Sequence, residues 1–487
     1  MATPIPPNRA RFSIDEVVTA TRGTLEFESK ADVVVGITSD SRSAPRGGVF
    51  VALRGEKHDG HDYLEAAAKK AVGLLVTERR RGAVSLAKNI FELVGLVEVD
   101  DTLVAWGDLA RAHITKWRKN AVDPCVVAIT GSAGKTTTKE LTAALLGAIA
   151  PTHFTAGNLN NRIGVPAVVF ALTEVHRFCV LEMGMSLVGE LDAITSFAKP
   201  DVALVTNVGV AHAEGVGGRE GVMREKGAVY RALSEDGIAI ANADDDYGTR
   251  AAEGTRGRVV TFGRNASAAY RLASREPLGA AGSRVGISTF GRVLSLKLPL
   301  PGEAAAVDLV AALAAQEAAS GVELSAEQIE AALAGVHLEG RSTIRELPND
   351  VLLLDDTYNA NPQSMRAALA TLGEIAGARR RVAVLGEMKE LGEIALDEHT
   401  ALGDAIIEAG ITLAIGCGGM VDLALSRASA RGVEVVRATT TDEAAREAAA
   451  RVRPGDAVLV KASRSVGAER VVESLQNASK SAVLRPG

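Results

Sequence analysis

The segment Val126-Val127-Ala128-Ile129-Thr130-Gly131-Ser132-Ala133-Gly134-Lys135-Thr136-Thr137-Thr138 runs from an apolar stretch through small residues into a helical pattern. A strand that feeds a glycine-rich turn at a helix N-terminus lets backbone N–H groups close around phosphate oxygens. Lys135 adds positive charge, Thr136 offers a hydroxyl to Mg2+, and Gly131, Ser132, Ala133, Gly134 and Thr137 complete the ATP-binding candidates. An ordinary glycine-rich turn is the bland alternative, and it gives the order Gly134-Lys135-Thr136 no task. Ile129 stands where the general phosphate loop has its first glycine, so this is the shorter Thr-Gly-x-x-Gly-Lys-Thr-Thr form.

Two further strands aim polar groups at the same place. Glu182 closes the run Phe178-Cys179-Val180-Leu181, which puts a carboxylate at the sheet edge beside the loop as a Mg2+ ligand. Such a carboxylate could equally cap a helix. The next run, Asp201–Thr206, opens into Asn207-Val208-Gly209-Val210-Ala211-His212, and His212 is suited there to a second metal. Lys226 falls in an apparent helix, where spacing alone reads it as a solvated lysine.

The surrounding pattern supplies a scaffold for these groups. Strand-like runs Cys125–Thr130, Cys179–Met183 and Val202–Asn207 alternate with helical segments from Thr136 and near Val188–Phe197. That alternation predicts βαβ units and a mostly parallel sheet. Turn-separated strands such as Arg292–Leu298 follow as an antiparallel flank, then an alanine-rich helix over Ala304–Ala319. A second series comprises Val351–Asp355, Met365–Leu372, Arg381–Leu385, Ala401–Ala409, Leu413–Gly416, Ala444–Val452 and Ala457–Val460. It predicts a Rossmann-like unit. The expected fold class is α/β in three domains: a small N-terminal α/β domain (1–100), a central phosphate-loop ATPase (101–337) and a C-terminal Rossmann-like domain (338–487).

At 487 residues the chain exceeds one hydrophobic core, which agrees with that division. Its 47% hydrophobic and 23% charged residues can bury a core throughout. A net charge of −6 argues against nucleic-acid binding, and the Arg79-Arg80-Arg81 run reads as a solvated helix end. Met1–Arg11 has no apolar h-region, and no stretch reaches the roughly 18 apolar residues of a membrane span. A soluble cytoplasmic protein without membrane insertion is expected. Cys125, Cys179 and Cys417 lie in apolar runs and read as buried thiols.

Together these residues resemble the Mur ligase family of peptidoglycan precursor enzymes over nearly the whole chain. The family-wide part is Thr130–Thr138, Glu182, Asn207–His212 and Gly340-Arg341. Gly157–Pro166, with Asn158-Leu159-Asn160-Asn161, and Asp355–Pro362 discriminate further, and resemble the member performing the last amino-acid-adding step. The resemblance implies an ATP-dependent amide ligase acting through an acyl phosphate. Its substrates would be UDP-N-acetylmuramoyl-tripeptide and D-alanyl-D-alanine, and the enzyme is expected to be a monomer.

The resemblance also implies roles. Lys135, Glu182, His212 and Lys226 would be catalytic, with two Mg2+ ions held by Thr136, Glu182, His212 and a carbamylated Lys226. ATP would meet Asn207, Arg341, Asp356 and Asn359 besides the loop. The substrates would meet Ser39, Asp40, Ser41, Arg42, His61, Asn158, Asn160, Asn161, Lys461, Ser463 and Arg464. Two departures stand out: Ala462 replaces the commoner glycine, and Gly302–Asp308 replaces the usual Gly-x-His-Asn-Val-x-Asn. Asp308 occupies the position of an asparagine used near the adenine, which implies altered adenine selectivity or ATP affinity.

Two rivals remain: a sibling ligase that adds a single amino acid, and a phosphate-loop ATPase switch. Ile129 and the Asp40-Ser41-Arg42 tract favour a ligase over a switch.

Overall fold

The computed structural model describes residues 3–55, 58–79, 81, 94–210, 213–336, 338 and 340–483. Three large sheets follow one another along the chain. The first has five strands in the order Thr24–Phe27, Gly95–Val99, Leu74–Glu78, Val49–Val51, Ile37–Thr38, parallel except for its first pair.

The second sheet has nine strands and carries the phosphate loop. Its parallel part runs Arg258–Gly263, Ile238–Asn242, Val202–Val205, Cys125–Thr130, Phe178–Glu182, Thr152–Phe154. Tyr270–Pro277, Ser283–Thr289 and Arg292–Leu298 extend it as the antiparallel flank. Cys125–Thr130 lies between Phe178–Glu182 and Val202–Val205, with the next strands in sequence on opposite sides. The strand order reverses there, which opens a crevice at the carboxyl end of Cys125–Thr130.

Each face of this sheet has its own core. Val126 and Ala128 pack on one side with Trp106, Phe170 and Leu181, and Val127 and Ile129 on the other with Leu141, Leu309 and Leu313. Strands buried on both faces read as continuous apolar runs, which is why these were visible in the sequence. The helix Thr102–Asn120 joins the first two sheets: Trp106 donates to Ile163 O at 2.9 Å and meets the Phe170 ring at 4.7 Å.

The third sheet runs Thr343–Leu347, Val351–Asp355, Ala457–Lys461, Arg381–Leu385, Leu413–Cys417, Glu434–Ala438, with only its first pair antiparallel. Its helix Pro362–Ala376 reaches across to the central sheet, where Glu374 pairs with the buried Arg275 at 3.0 Å. The helix is capped by Asn361, whose side chain accepts from Ser364 N at 2.8 Å.

The structure corrects one reading here. Arg79 and Arg81 follow the strand Leu74–Glu78 and pair with Asp100 and Asp59, so they close a strand edge and do not end a helix. Arg80 lies outside the described residues. All three cysteines are buried, and burial pushes the Cys125 and Cys417 thiols up to about 12. Among the described residues no helix is long and apolar enough to cross a membrane.

Candidate active site

The phosphate loop occupies the crevice between Thr130 and the helix Lys135–Gly147. Gly131 and Gly134 have φ of 151° and 81°, values that side chains rarely adopt. A Cβ at Gly131 would lie 1.8 Å from Thr206 Oγ1, so only glycine lets the two strand ends approach. Asn207 clamps the loop: Ala133 N donates to its Oδ1 at 2.9 Å, and its Nδ2 donates to Ala133 O at 3.0 Å. Ser132 N donates to Asn207 O at 3.0 Å, and Thr206 Oγ1 to Ala133 O at 2.5 Å.

Asn207, an expected ATP contact, thus also shapes the loop.

The carboxylate of Glu182 is held from two sides. Thr136 Oγ1 donates to Oε2 at 2.6 Å, and Asn160 Nδ2 donates to Oε1 at 2.7 Å. Its backbone N–H donates to Thr155 Oγ1 at 2.9 Å, and Thr155 O accepts from the fully buried Lys139 at 2.8 Å. Burial pushes this carboxyl up, yet the charges of Arg341 and Lys135 and the bonds from Thr136 and Asn160 bring it below its ordinary value.

Lys135 Nζ donates back to Gly131 O at 2.8 Å, and burial lowers its ammonium below the usual lysine value while Glu182 opposes the shift. Lys226, at 1% exposure, is driven well below by burial, with the charge of Lys135 adding to it. Among the described residues no acceptor meets its Nζ. A charged ammonium is costly in such a place. His212 lies outside the described residues.

The third sheet completes the site from above. Asn361 Nδ2 donates to Ser132 O at 3.2 Å, which ties the cap of Pro362–Ala376 to the phosphate loop. A cleft of about 530 Å³ opens beside it, lined by Thr136, Asn158, Arg341, Arg345, Tyr358 and Arg464 among others. Arg341 stacks on Tyr358, its Cζ 3.9 Å from the ring centroid.

Several expected contact residues are occupied elsewhere. Asp356 accepts from Lys461 Nζ at 2.6 Å and from Ser342 N at 3.1 Å, and Lys461, 2% exposed, also donates to Asn359 O at 2.8 Å. Lys461 and Asp356 therefore brace the strand ends from within. Ser463 is buried and accepts from Lys389 N at 3.0 Å. Asn161 accepts from Ile163 N and Gly164 N, which starts the helix Gly164–Val169, and Asn160 is spent on Glu182. Asn359 is exposed and accepts from Ala360 N. Asn158 remains on the cleft, where its Oδ1 accepts from Thr3 at 2.6 Å.

In the first sheet, Asp40 caps the turn Ser41–Ser43 and pairs with the exposed Arg42 at 2.8 Å, with Ser39 just before. His61 is buried: its Nδ1 faces Asp59 Oδ1 at 2.6 Å and its Nε2 accepts from Glu78 N at 3.0 Å. With both ring nitrogens engaged, His61 holds the turn and cannot itself grip a ligand. Among the described residues no hydrogen bond or ion pair joins Ser39–Arg42 to the phosphate loop.

Asp308 also departs from its expected place. Its Oδ1 accepts from Thr138 Oγ1 at 3.2 Å, and a Cβ on Gly134 would meet that oxygen at 2.4 Å. The carboxylate therefore underlies the phosphate loop itself.

Lys139 and Thr155 were not singled out from sequence, and Tyr358 entered only as part of the Asp355–Pro362 tract. Lys139 lies one helical turn beyond Lys135, and that spacing was the available signal.

The domain families agree with this geometry. The Mur ligase middle domain matches residues 129–316, and the Mur ligase, glutamate ligase domain matches residues 340–464. The chain belongs to the Mur ligase family. This Mur ligase is 36% identical over 450 residues to the UDP-N-acetylmuramoyl-tripeptide--D-alanyl-D-alanine ligase of Escherichia coli, covering 92% of this chain and 95% of that protein. It is 30% identical to the ligase of the same name from Bacillus subtilis, covering 95% and 97%. Its structure is similar to MurF from Acinetobacter baumannii, with a TM-score of 0.85, 29% identity and coverage of 98% and 100%. It is also similar to MurF ligase from Thermotoga maritima in complex with ADP, with a TM-score of 0.78, 27% identity and coverage of 92% and 98%.

Proposed function

We propose that this Mur ligase joins D-alanyl-D-alanine to UDP-N-acetylmuramoyl-tripeptide at the expense of ATP, giving UDP-N-acetylmuramoyl-pentapeptide, ADP and phosphate. The observation that carries the chemistry is the meeting of Thr136, Glu182 and Lys135 at one strand edge, with Arg341 brought over them by the third sheet. Similarity to UDP-N-acetylmuramoyl-tripeptide--D-alanyl-D-alanine ligases along more than nine-tenths of the chain supports the choice of substrates.

A carboxylate does not react with an amine at neutral pH because oxide is a poor leaving group. The substrate carboxylate oxygen attacks the γ-phosphorus of ATP, the bond to the β-phosphate oxygen breaks, and ADP leaves with the electron pair. The amine nitrogen then attacks the acyl carbon, phosphate departs, and the amine proton passes to phosphate or solvent. Lys135 and the inward N–H groups of the loop neutralise charge on the transferring phosphoryl. Arg341 adds a second cation, and closure of the third sheet keeps water from the acyl phosphate.

Thr136 Oγ1 and Glu182 Oε2, 2.6 Å apart beside the loop, form a hard oxygen pair that fits Mg2+. When bound, the ion supplies electrostatic stabilisation of the phosphoryl oxygens. A second ion at His212 and Lys226 forms part of the proposal. Lys226 buried without an acceptor among the described residues is better accommodated as a carbamate anion facing a cation than as an ammonium.

Residues 1–100 would hold the UDP end of the substrate, 101–337 the ATP, and 338–487 would bring the amine. The enzyme would work as a cytoplasmic monomer. Phosphate release with Mg-ATP and UDP-N-acetylmuramoyl-tripeptide tests the reading. Release that depends on D-alanyl-D-alanine supports it, release with a single amino acid points to a sibling ligase, and release indifferent to the acceptor points to a switch.

A further inference from the structure

We infer that Tyr358 is a positioning residue that carries two arginines of the cleft, Arg341 and Arg464, on one ring and so couples the phosphate end of the cleft to its acceptor end. This rests on the ligase reaction proposed above. Arg341 Cζ lies 3.9 Å and Arg464 Cζ 5.7 Å from the ring centroid of Tyr358, and all three residues line the cleft.

What sets this pair of arginines apart is the absence of a carboxylate. Arg345, in the same cleft, is paired with Asp355 at 3.2 Å. Among the described residues, no ion pair or side-chain hydrogen bond engages the guanidinium of Arg341 or Arg464. The aromatic face is their shared partner. A guanidinium held over a ring by cation–π attraction spends no N–H group on that contact, so its fork stays able to take a phosphate or carboxylate. Two like charges gathered on one ring repel each other until anions arrive, so the cleft is set for two anionic groups.

The ring itself is firmly held. Tyr358 N donates to Gly340 O at 3.0 Å, which ties it to the corner carrying Arg341. Gly340 has φ of 62°, and a Cβ there would lie 3.5 Å from Tyr358 N and 3.7 Å from Tyr358 Cβ. On one side Thr357 Oγ1 donates to Asp355 at 2.8 Å, and on the other the buried Lys461 pins Asn359 O at 2.8 Å. Arg341 shares the cleft with Thr136 in the first turn of the phosphate-loop helix, so it faces the phosphoryl end. Arg464 opens the short helical turn after Ala457–Lys461 and takes the second anion, the terminal carboxylate of the dipeptide acceptor.

The test uses the full chain with Tyr358→Leu and Tyr358→Phe, measuring KM for ATP and for D-alanyl-D-alanine separately from kcat. Tyr358→Leu should raise both KM values about fivefold with a smaller fall in kcat, and Tyr358→Phe, which keeps the ring, should restore both to within roughly twofold. In an Arg341→Ala background, Tyr358→Leu should no longer raise the KM for ATP but should still raise that for the dipeptide. Unchanged KM values in Tyr358→Leu, or equal damage in Tyr358→Phe, would overturn the inference. Should the unaltered enzyme ignore D-alanyl-D-alanine, the reaction assignment fails, and titration of ATP into the same variants still decides whether Tyr358 positions Arg341.

Discussion

Thr136 Oγ1 lies 2.6 Å from Glu182 Oε2, joining the first turn of the phosphate-loop helix to the end of the neighbouring strand. In the proposed mechanism the hydroxyl and the carboxylate would serve one cation, and Asn160 holds the second carboxylate oxygen at 2.7 Å so that the group cannot rotate away.

Glu182→Gln keeps the shape of the side chain and removes its charge. We expect kcat to fall by about 100-fold to 1000-fold with the fold intact, the range for loss of a main electrostatic contact in a transition state. Asn160→Ala should cost less, about tenfold, and should raise the Mg2+ concentration needed for half-maximal rate. Steady-state rates across a Mg2+ titration, with circular dichroism as the control for folding, check both.

Lys226 should carry carbon dioxide. Burial drives its ammonium well below the usual lysine value, which favours the neutral amine, the form that adds CO2. Protein equilibrated with 13C-bicarbonate should show a carbamate carbon resonance that disappears in Lys226→Arg, together with most of the activity. A spectrum without that resonance would leave the lysine unmodified.

Asp308 gives the stability a pH dependence of definite sign. Burial pushes its carboxyl up to about 8, against the opposing effects of Thr138 and Arg341. The native state thus keeps a proton that the unfolded chain releases above the ordinary value of 3.8, and stability falls as pH rises from there through about 8. Asp308→Asn should remove this slope, stabilising the protein at pH 8 and changing little at pH 4. Thermal unfolding at the two pH values measures it.

Arg275 and Glu374 fasten the helix Pro362–Ala376 to the central sheet at the end opposite Asn361. The Arg275 side chain is 7% exposed, so Arg275→Met leaves Glu374 without its partner and should destabilise by about 3 kcal/mol. Arg275→Met with Glu374→Met should recover most of that loss. Calorimetry and the KM for ATP together report whether docking and nucleotide binding are linked.

The strands around the site were legible because Cys125–Thr130, Phe178–Glu182 and Val351–Asp355 are buried along their whole length and read as apolar runs. Glu434–Ala438 and Thr343–Leu347 escaped notice because they are edge strands, largely open to solvent and interrupted by charged residues. At the site, Lys135, Thr136 and Glu182 could be found because glycine spacing and a strand end fix them locally. The partners of Asn160, Asn207 and Lys461 could not, since an amide or ammonium is claimed by whichever backbone or carboxylate the tertiary turn brings near. Motif resemblance marked these residues as important, and only their bonds assigned them to bracing.

The measurement that reaches the central claim most directly is the fate of oxygen. UDP-N-acetylmuramoyl-tripeptide labelled with 18O in its terminal carboxylate is incubated with Mg-ATP and D-alanyl-D-alanine, and both phosphate and peptide are analysed by mass. An acyl phosphate intermediate transfers one labelled oxygen to each phosphate released, with one pentapeptide formed for each. Unlabelled phosphate with the tripeptide unchanged would mean that ATP is hydrolysed by water, and would contradict the ligase.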